Sequence, residues 1–362
     1  MRVVFAGGGT GGHLSPGIAL AERLVRGFGA EAFFLSVGKE LEEELVTRAG
    51  YKLVKCPARP LRRSLFGGAA FVLALAAGVW RAVGAIENFE TEVVVGLGGY
   101  ASAPGVLAAW ILGRKVLLLE QNVLPGAANR FLERFAAEVA CQWRESLKYL
   151  RRGRFVGNPV RHSVLRATRE DGIRRFNLDP DKKTILVMGG SQGAEWIDRG
   201  MMRAAEALSP HGDRIQVIHI ASAKMADPVE ETYKEHRIEA RVTTFVRDIG
   251  AAYAVAEAAV SRAGGSTIAE LTCFGVPMVL VPYPYAAGGH QALNAEAAAR
   301  AGAAVVVEQE EGESALGSLL AGLLADERGL LAMRGGALSL GRPEAAQQVA
   351  QRISDLAGEG RW

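Results

Sequence analysis

Short runs of β-branched and aliphatic residues alternate along the chain with longer stretches in which apolar residues recur every three or four positions. The short runs predict strands and the longer ones amphipathic helices. Their regular alternation marks βαβ units and parallel sheets. In the first half, strands are expected at Arg2–Ala6, Ala32–Val37, Lys52–Cys56, Glu92–Gly96, Lys115–Glu120 and Glu138–Gln142. A second series follows at Thr184–Met188, Gln216–Ile220, Arg241–Phe245, Ala258–Val260, Pro277–Val281 and Ala304–Glu308. Two doubly wound domains in tandem account for the two series. The break is expected at Gly157-Asn158-Pro159-Val160-Arg161, because a residue before proline is pushed out of the helical region. That gives domains of 1–157 and 158–342. A last amphipathic helix, Pro343–Ala357, is expected to dock on one of the two, with the first as a candidate.

Composition narrows the class. With 49% hydrophobic and 22% charged residues the chain supports two sizeable cores and is not a disordered protein. The formal charge of +3 argues against a dedicated nucleic-acid binder, yet it hides an asymmetry: residues 1–160 carry +7 and the remainder −4. Three dispersed cysteines, Cys56, Cys141 and Cys273, form neither a zinc motif nor a disulfide framework and fit a reducing compartment. The start, MRVVFAGGG, predicts no signal peptide. The uncharged run Leu65–Trp80 is short and rich in Ala and Gly, so it does not read as a membrane span.

Glycine is the outlier, 44 residues of 362, and it is clustered where strands end. Gly7-Gly8-Gly9-Thr10-Gly11-Gly12-His13 follows the first strand, with Ser15-Pro16 expected to cap the next helix. Gly7-x-Gly9-x-x-Gly12 matches a dinucleotide fingerprint, but the tip of the second strand, Ser36-Val37-Gly38-Lys39, lacks the supporting acid. The second cluster is Gly96-Leu97-Gly98-Gly99-Tyr100-Ala101-Ser102, and the third Gly189-Gly190-Ser191-Gln192-Gly193. The third also spells a nucleophile elbow, with His290 downstream. That reading leaves the other loops unused, and Ser191 follows only the first strand of its series. In the fourth, Ser261-Arg262-Ala263-Gly264-Gly265-Ser266-Thr267-Ile268-Ala269-Glu270, a helix entrance offers amides to phosphate. Glu270 within its first two turns suits the vicinal hydroxyls of a ribose. Gln291 and Asn294 follow as amide side chains for sugar hydroxyls.

Taken in order, GGGTGGHLSPGIALAERL, GLGGYASAPG, LLEQNVLPGAANR, FVGNPVR, GGSQGA and SRAGGSTIAELTCFGVPMVLVPYP with HQALNA resemble the successive signatures of the MurG-type UDP-N-acetylglucosamine transferases, glycosyltransferase family 28. The resemblance runs from Met1 to about Gln309. It implies a GT-B fold: α/β, two Rossmann-like domains facing an interdomain cleft. It also implies transfer of N-acetylglucosamine to lipid I, undecaprenyl-pyrophosphoryl-MurNAc-pentapeptide, forming the β-1,4 link of lipid II. Carried over position by position, donor contacts fall on Thr10, Gly11, Gly12, Asn122, Arg161, Ser191, Val246, Gly265, Ser266, Thr267, Ile268, Ala269, Glu270 and Gln291. Gly98, Gly99, Tyr100 and Ser102 are then the loop toward the acceptor pyrophosphate. The spacer Ala286-Ala287-Gly288-Gly289 departs from the family pattern.

An inverting transfer needs a base for the acceptor hydroxyl and charge relief for departing UDP. His13 is the candidate base and Glu120 its rival; Arg161 and Arg262 are candidates for the leaving-group charge. Asp179-Pro180-Asp181 spells a metal motif but sits in a turn, so no metal cofactor is expected. Phe71, Leu75 and Val79, with Arg62, Arg63 and Arg81, read equally as an ordinary core helix with a solvated basic edge or as an apolar patch with a basic rim for anionic lipid; the lipid acceptor that the resemblance implies favours the patch, at the cytoplasmic face of the plasma membrane. Expected partners are UDP-GlcNAc, lipid I, that membrane surface and other cell-wall assembly proteins. A UDP-sugar epimerase on the same fold explains a uridine site but not the patch. A non-catalytic sugar-nucleotide binding module keeps Glu270 without needing His13.

Overall fold

The computed structural model describes residues 1–8, 11–60, 65–190 and 193–358. The chain forms two compact units, Met1–Arg161 with Pro343–Trp362, and His162–Arg342. The first holds β1 (Arg2–Ala6), β2 (Glu31–Ser36), β3 (Lys52–Lys55), β4 (Val93–Gly96), β5 (Lys115–Glu120), β6 (Glu138–Cys141) and β7 (Gly153–Phe155). They make one parallel sheet ordered β3-β2-β1-β4-β5-β6-β7. The second holds β8 (Lys183–Met188), β9 (Ile215–Ile220), β10 (Glu239–Thr243), β11 (Ala256–Ser261), β12 (Met278–Leu280) and β13 (Ala304–Val306). Their parallel sheet is ordered β10-β9-β8-β11-β12-β13.

Both faces of the first sheet are covered, as parallel strands require. On β1, Val3 and Phe5 enter one core with Leu14, Leu20 and Leu24 of the helix Gly11–Phe28, while Val4 and Ala6 enter the other with Ala82, Ile86 and Val106. The period of two along a strand thus divides each run between two cores. The helix Ala345–Gly358 completes the first core through Val349, Ile353 and Leu356, all at most 1% exposed, and Arg352 donates to Glu138 at 3.0 Å. The end of the sequence therefore closes the domain that its beginning opens. In the second unit, Ile185, Val187, Val217 and Val260 form a core with Ile197, Met201 and Leu208 of the helix Glu195–Leu208.

Three features differ from the sequence expectation. The edge strand β7, only three residues long, carries no alternation that a pattern search detects. The first helix begins at Gly11 and takes Pro16 inside it, rather than starting after Ser15. Proline's fixed φ suits a helix, and its missing N–H forgoes only the bond to Gly12 near the frayed first turns. Finally, β8 opens its series but lies in the interior of its sheet, so strand position does not weigh against a nucleophile elbow at Ser191.

Candidate active site

In each sheet, neighbouring central strands carry connections that depart in opposite directions: β1 and β4 in the first, β8 and β11 in the second. Such switch points leave a crevice at the carboxyl ends of the strands. The described residues of all four glycine clusters stand there. Gly7 adopts φ +146° and lies so close to the next loop that a Cβ would stand 2.8 Å from Leu97 Cβ. Real side chains do not approach that closely, so the loops after β1 and β4 meet only because Gly7 has none.

That contact sets His13. It is the third residue of the Gly11–Phe28 helix and is half-buried. Its ring lies against the next loop: a Cβ on Gly98, where φ is +95°, would stand 3.1 Å from His13 Cδ2 and 3.4 Å from Nε2. Tyr100, which follows Gly99 in that loop, is half-buried. Ser102 is fully buried and donates to Gly99 O at 2.8 Å, so it braces the loop from within instead of presenting its hydroxyl.

Glu120, at the end of β5, is 3% exposed. Oε1 accepts from Asn122 N at 2.9 Å and Asn122 Nδ2 at 3.2 Å; Oε2 accepts from Gly126 N at 3.0 Å and Asn129 Nδ2 at 2.9 Å. Burial pushes its carboxyl above the usual range, and these four donors pull it back. A buried lone carboxylate costs several kcal/mol, so this arrangement is what lets Glu120 organise residues 121–126. Gln121 Nε2 ties the same loop to Leu97 O at 3.2 Å, and Ser146 Oγ donates to Asn122 O at 2.8 Å. Asn122 is therefore held by partners on both sides. Glu42, which the motifs did not single out, plays the same part after β2: its Oε2 accepts from Ser36 Oγ at 2.8 Å, Gly38 N at 2.9 Å and Lys39 N at 3.0 Å.

In the second unit, the nine-residue helix Gly265–Cys273 opens after Gly264 and carries no acid in its first turn. Its amino end aims backbone N–H groups and the positive end of the helix dipole outward. Gly265, Ile268 and Ala269 are buried, whereas Ser266, Thr267 and Glu270 are half-exposed on the accessible side. Glu270 Oε2 accepts from Tyr253 Oη at 2.7 Å. Arg262 turns away from this helix: its Nη1 donates to Val281 O and Pro282 O, both at 3.2 Å, and to Gln309 Oε1 at 2.7 Å. It thus pins the chain after β12. Gln291 Oε1 accepts from Tyr283 N at 3.0 Å, and half-buried Val246 precedes the helix Ile249–Val255. Asn294 lies behind these residues. It is fully buried and donates to Ala263 O at 3.1 Å, bracing the loop after β11.

Arg161 differs from Arg262. Its Nε is buried with no hydrogen-bond partner among the described residues, as suits a side chain that meets an anion. Asp179 closes its own turn by accepting from Asp181 N at 2.9 Å, and its backbone is clasped by Gln216. Thr10, Ser191, Arg62 and Arg63 lie outside the described residues.

Two family models divide the chain as its sheets do. The glycosyltransferase family 28 N-terminal domain matches residues 3–141 and the C-terminal domain residues 184–349. A UDP-N-acetylglucosamine--N-acetylmuramyl-(pentapeptide) pyrophosphoryl-undecaprenol N-acetylglucosamine transferase of Thermodesulfovibrio yellowstonii is 35% identical over 98% of this chain and 99% of its own. The protein of the same description from Chlorobium luteolum is 40% identical over 99% and 100%. The chain belongs to glycosyltransferase family 28. Within that family it is of the MurG type. The crystal structure of Acinetobacter baumannii MurG superimposes with a TM-score of 0.78 at 25% identity, covering 98% of this chain and 99% of that one. The two Rossmann-like units are thus those of a GT-B glycosyltransferase, and this membership sets the hydrolase and dehydrogenase readings of the glycine loops aside.

The packing of His13 on Gly98 yields a direct test. Gly98→Ala combines an unfavourable φ with a Cβ against the imidazole, and is expected to lower kcat at least tenfold while donor affinity stays within about twofold. Steady-state kinetics with donor calorimetry measures both; unchanged kcat would separate His13 from the Gly98 contact.

Proposed function

We infer that this chain transfers N-acetylglucosamine from UDP-GlcNAc to lipid I with inversion, forming the β-1,4 link of lipid II in peptidoglycan synthesis. Family membership over nearly the whole chain supports the activity. The observation that carries the mechanism is the His13 imidazole seated on the Gly98–Gly99 backbone at the switch point of the first sheet. In this reading His13 takes the proton from the 4-hydroxyl of MurNAc as that oxygen attacks C1 of the donor sugar. The O–C1 bond forms, the bond from C1 to the UDP oxygen breaks, and the electron pair leaves with UDP.

The donor is read by Thr10, Gly11, Gly12, Asn122, Arg161, Ser191, Val246, Gln291 and the segment from Gly265 through Ser266, Thr267, Ile268 and Ala269 to Glu270. The helix entrance at Gly265 faces the pyrophosphate, Arg161 meets its charge, Val246 frames the uracil through its backbone and Glu270 takes the ribose. Glu120 serves by holding Asn122, because its oxygens already accept four hydrogen bonds. Gly98, Gly99 and Tyr100 face the acceptor pyrophosphate. The charge is carried by amides and arginine, so no metal enters.

We further propose peripheral attachment to the cytoplasmic face of the plasma membrane. The helix Leu65–Asn88 has length and mean hydropathy (1.9 over its most apolar 18-residue window) enough to cross a bilayer. Its inner side nevertheless packs on the sheet through Ala82 and Ile86, both fully buried. The exposed face is one step round from the stripe expected: Val72 (61%), Leu73 (72%) and Trp80 (81%) point out, while Phe71, Leu75 and Val79 are half-buried and Val79 packs on the core. Four-residue spacing identifies a stripe but does not say which side meets the sheet. Trp110 and Ile111, on the helix Ala103–Ile111 packed against it, add exposed apolar area, and Arg59, Arg81 and Arg114 are exposed cations on this unit. A partly inserted surface with basic neighbours suits anionic lipid.

In a transfer assay with labelled UDP-GlcNAc and a lipid I analogue, His13→Ala is expected to lose at least a hundredfold in kcat with donor binding retained. A loss of only a few-fold removes His13 from the role. The same assay in excess EDTA is expected to keep its rate. For the membrane, Leu73→Asp with Trp80→Asp is expected to reduce partition onto anionic vesicles at least tenfold in a sedimentation assay, and unchanged partition contradicts attachment through this face.

A further inference from the structure

Two tyrosines in the second unit are almost wholly buried, and they satisfy their hydroxyls differently. Tyr233 keeps its bond inside the core, 3.0 Å from His219 Nδ1, itself paired with Asp198 at 3.1 Å. Tyr253 is 1% exposed, its ring 5.8 Å from Phe274, yet its hydroxyl reaches outward to Glu270 Oε2 at 2.7 Å. Buried phenols take a hydrogen-bond partner as a matter of course. Here the partner is a half-exposed carboxylate on the helix Gly265–Cys273, whose amino end is assigned above to the donor. Tyr253 lies in none of the glycine motifs.

A glutamate on a helix surface has three side-chain torsions and samples several rotamers. A phenol fixed by core packing restricts one carboxylate oxygen to a single place, which orients the other. The helix that holds Tyr253, Ile249–Val255, also follows directly on the loop that bears Val246, so one short segment carries both the uracil-framing residue and the group that orients Glu270.

We propose that Tyr253 is a positioning residue for donor recognition: its hydroxyl holds the Glu270 carboxylate in register with the ribose diol, and so contributes to preference for a ribonucleotide over a deoxyribonucleotide sugar. The proposal rests on the reading that Glu270 takes the ribose. It predicts an effect confined to the ribose. Tyr253→Phe removes one oxygen and no packing, and the half-exposed carboxylate is rehydrated, so the variant folds.

The test is isothermal calorimetry with UDP, 2′-deoxy-UDP and 3′-deoxy-UDP on the wild-type chain, Tyr253→Phe and Glu270→Ala, with thermal melts as a check on folding. The wild type is expected to prefer UDP over at least one deoxy analogue. Tyr253→Phe is expected to lose about tenfold in UDP affinity with little change for that analogue, compressing the preference. Its kcat at saturating UDP-GlcNAc stays near wild type while KM rises. If Tyr253→Phe weakens all three ligands equally, or none, Tyr253 is structural only and the proposal fails. If the wild type shows no preference, or Glu270→Ala keeps it, the underlying reading of Glu270 fails instead.

Discussion

Close backbone approach at the carboxyl ends of β1 and β4 is the constraint on which the first unit's chemistry depends. These strands are neighbours by topology, and their connections leave in opposite directions. The loops they feed would separate if Gly7 carried a side chain at the contact. Gly7 against Leu97 removes that obstacle, and Gly98 then offers a flat backbone on which the His13 ring rests. Gln121 extends the assembly to the loop after β5 by donating to Leu97 O. Three strand ends thus form one surface, and the imidazole packs on its backbone.

The second unit repeats the topology with different chemistry. Its acid at the helix entrance is accessible and anchored by a phenol from behind. The acids at corresponding strand ends of the first unit, Glu42 and Glu120, are instead buried and saturated by donors of their own loops. One arrangement leaves a carboxylate accessible and the other shapes loops. The charge division, +7 in residues 1–160 against −4 in the rest, follows the same line. The unit proposed to meet lipid and an acceptor pyrophosphate carries the cations.

Much of this was legible in the sequence because parallel strands buried on both faces read as uninterrupted β-branched runs, and glycine marks where they end. Twelve of the strands were visible in that way, and β7 was not, since three residues at an edge have no pattern. The motifs located His13 and Glu270 but not their surroundings. Asn294 and Ser102 look like ligand contacts in sequence because amides and hydroxyls near glycine loops serve equally to brace those loops, and only burial separates the roles. Tyr253 left no sequence signal, being one more aromatic residue in an alanine-rich helix. On Leu65–Asn88 the most exposed apolar residues are Val72, Leu73 and Trp80 rather than the Phe71, Leu75 and Val79 stripe, because alanine and glycine on both sides blur its inward side.

The assignment of His13 as the base is the central claim, and Glu120 is its natural rival because burial raises its carboxyl above the usual range. An acid limb in the rate profile is therefore not diagnostic by itself. The temperature dependence of that limb is, since imidazole ionisation carries a large enthalpy and carboxyl ionisation almost none. The most direct measurement is kcat against pH at saturating substrates, at several temperatures, for the wild-type chain and His13→Gln. The account predicts a wild-type rate that falls as pH drops, a limb that moves with temperature, and its loss in His13→Gln. A limb that is insensitive to temperature, or that persists in His13→Gln, would contradict it.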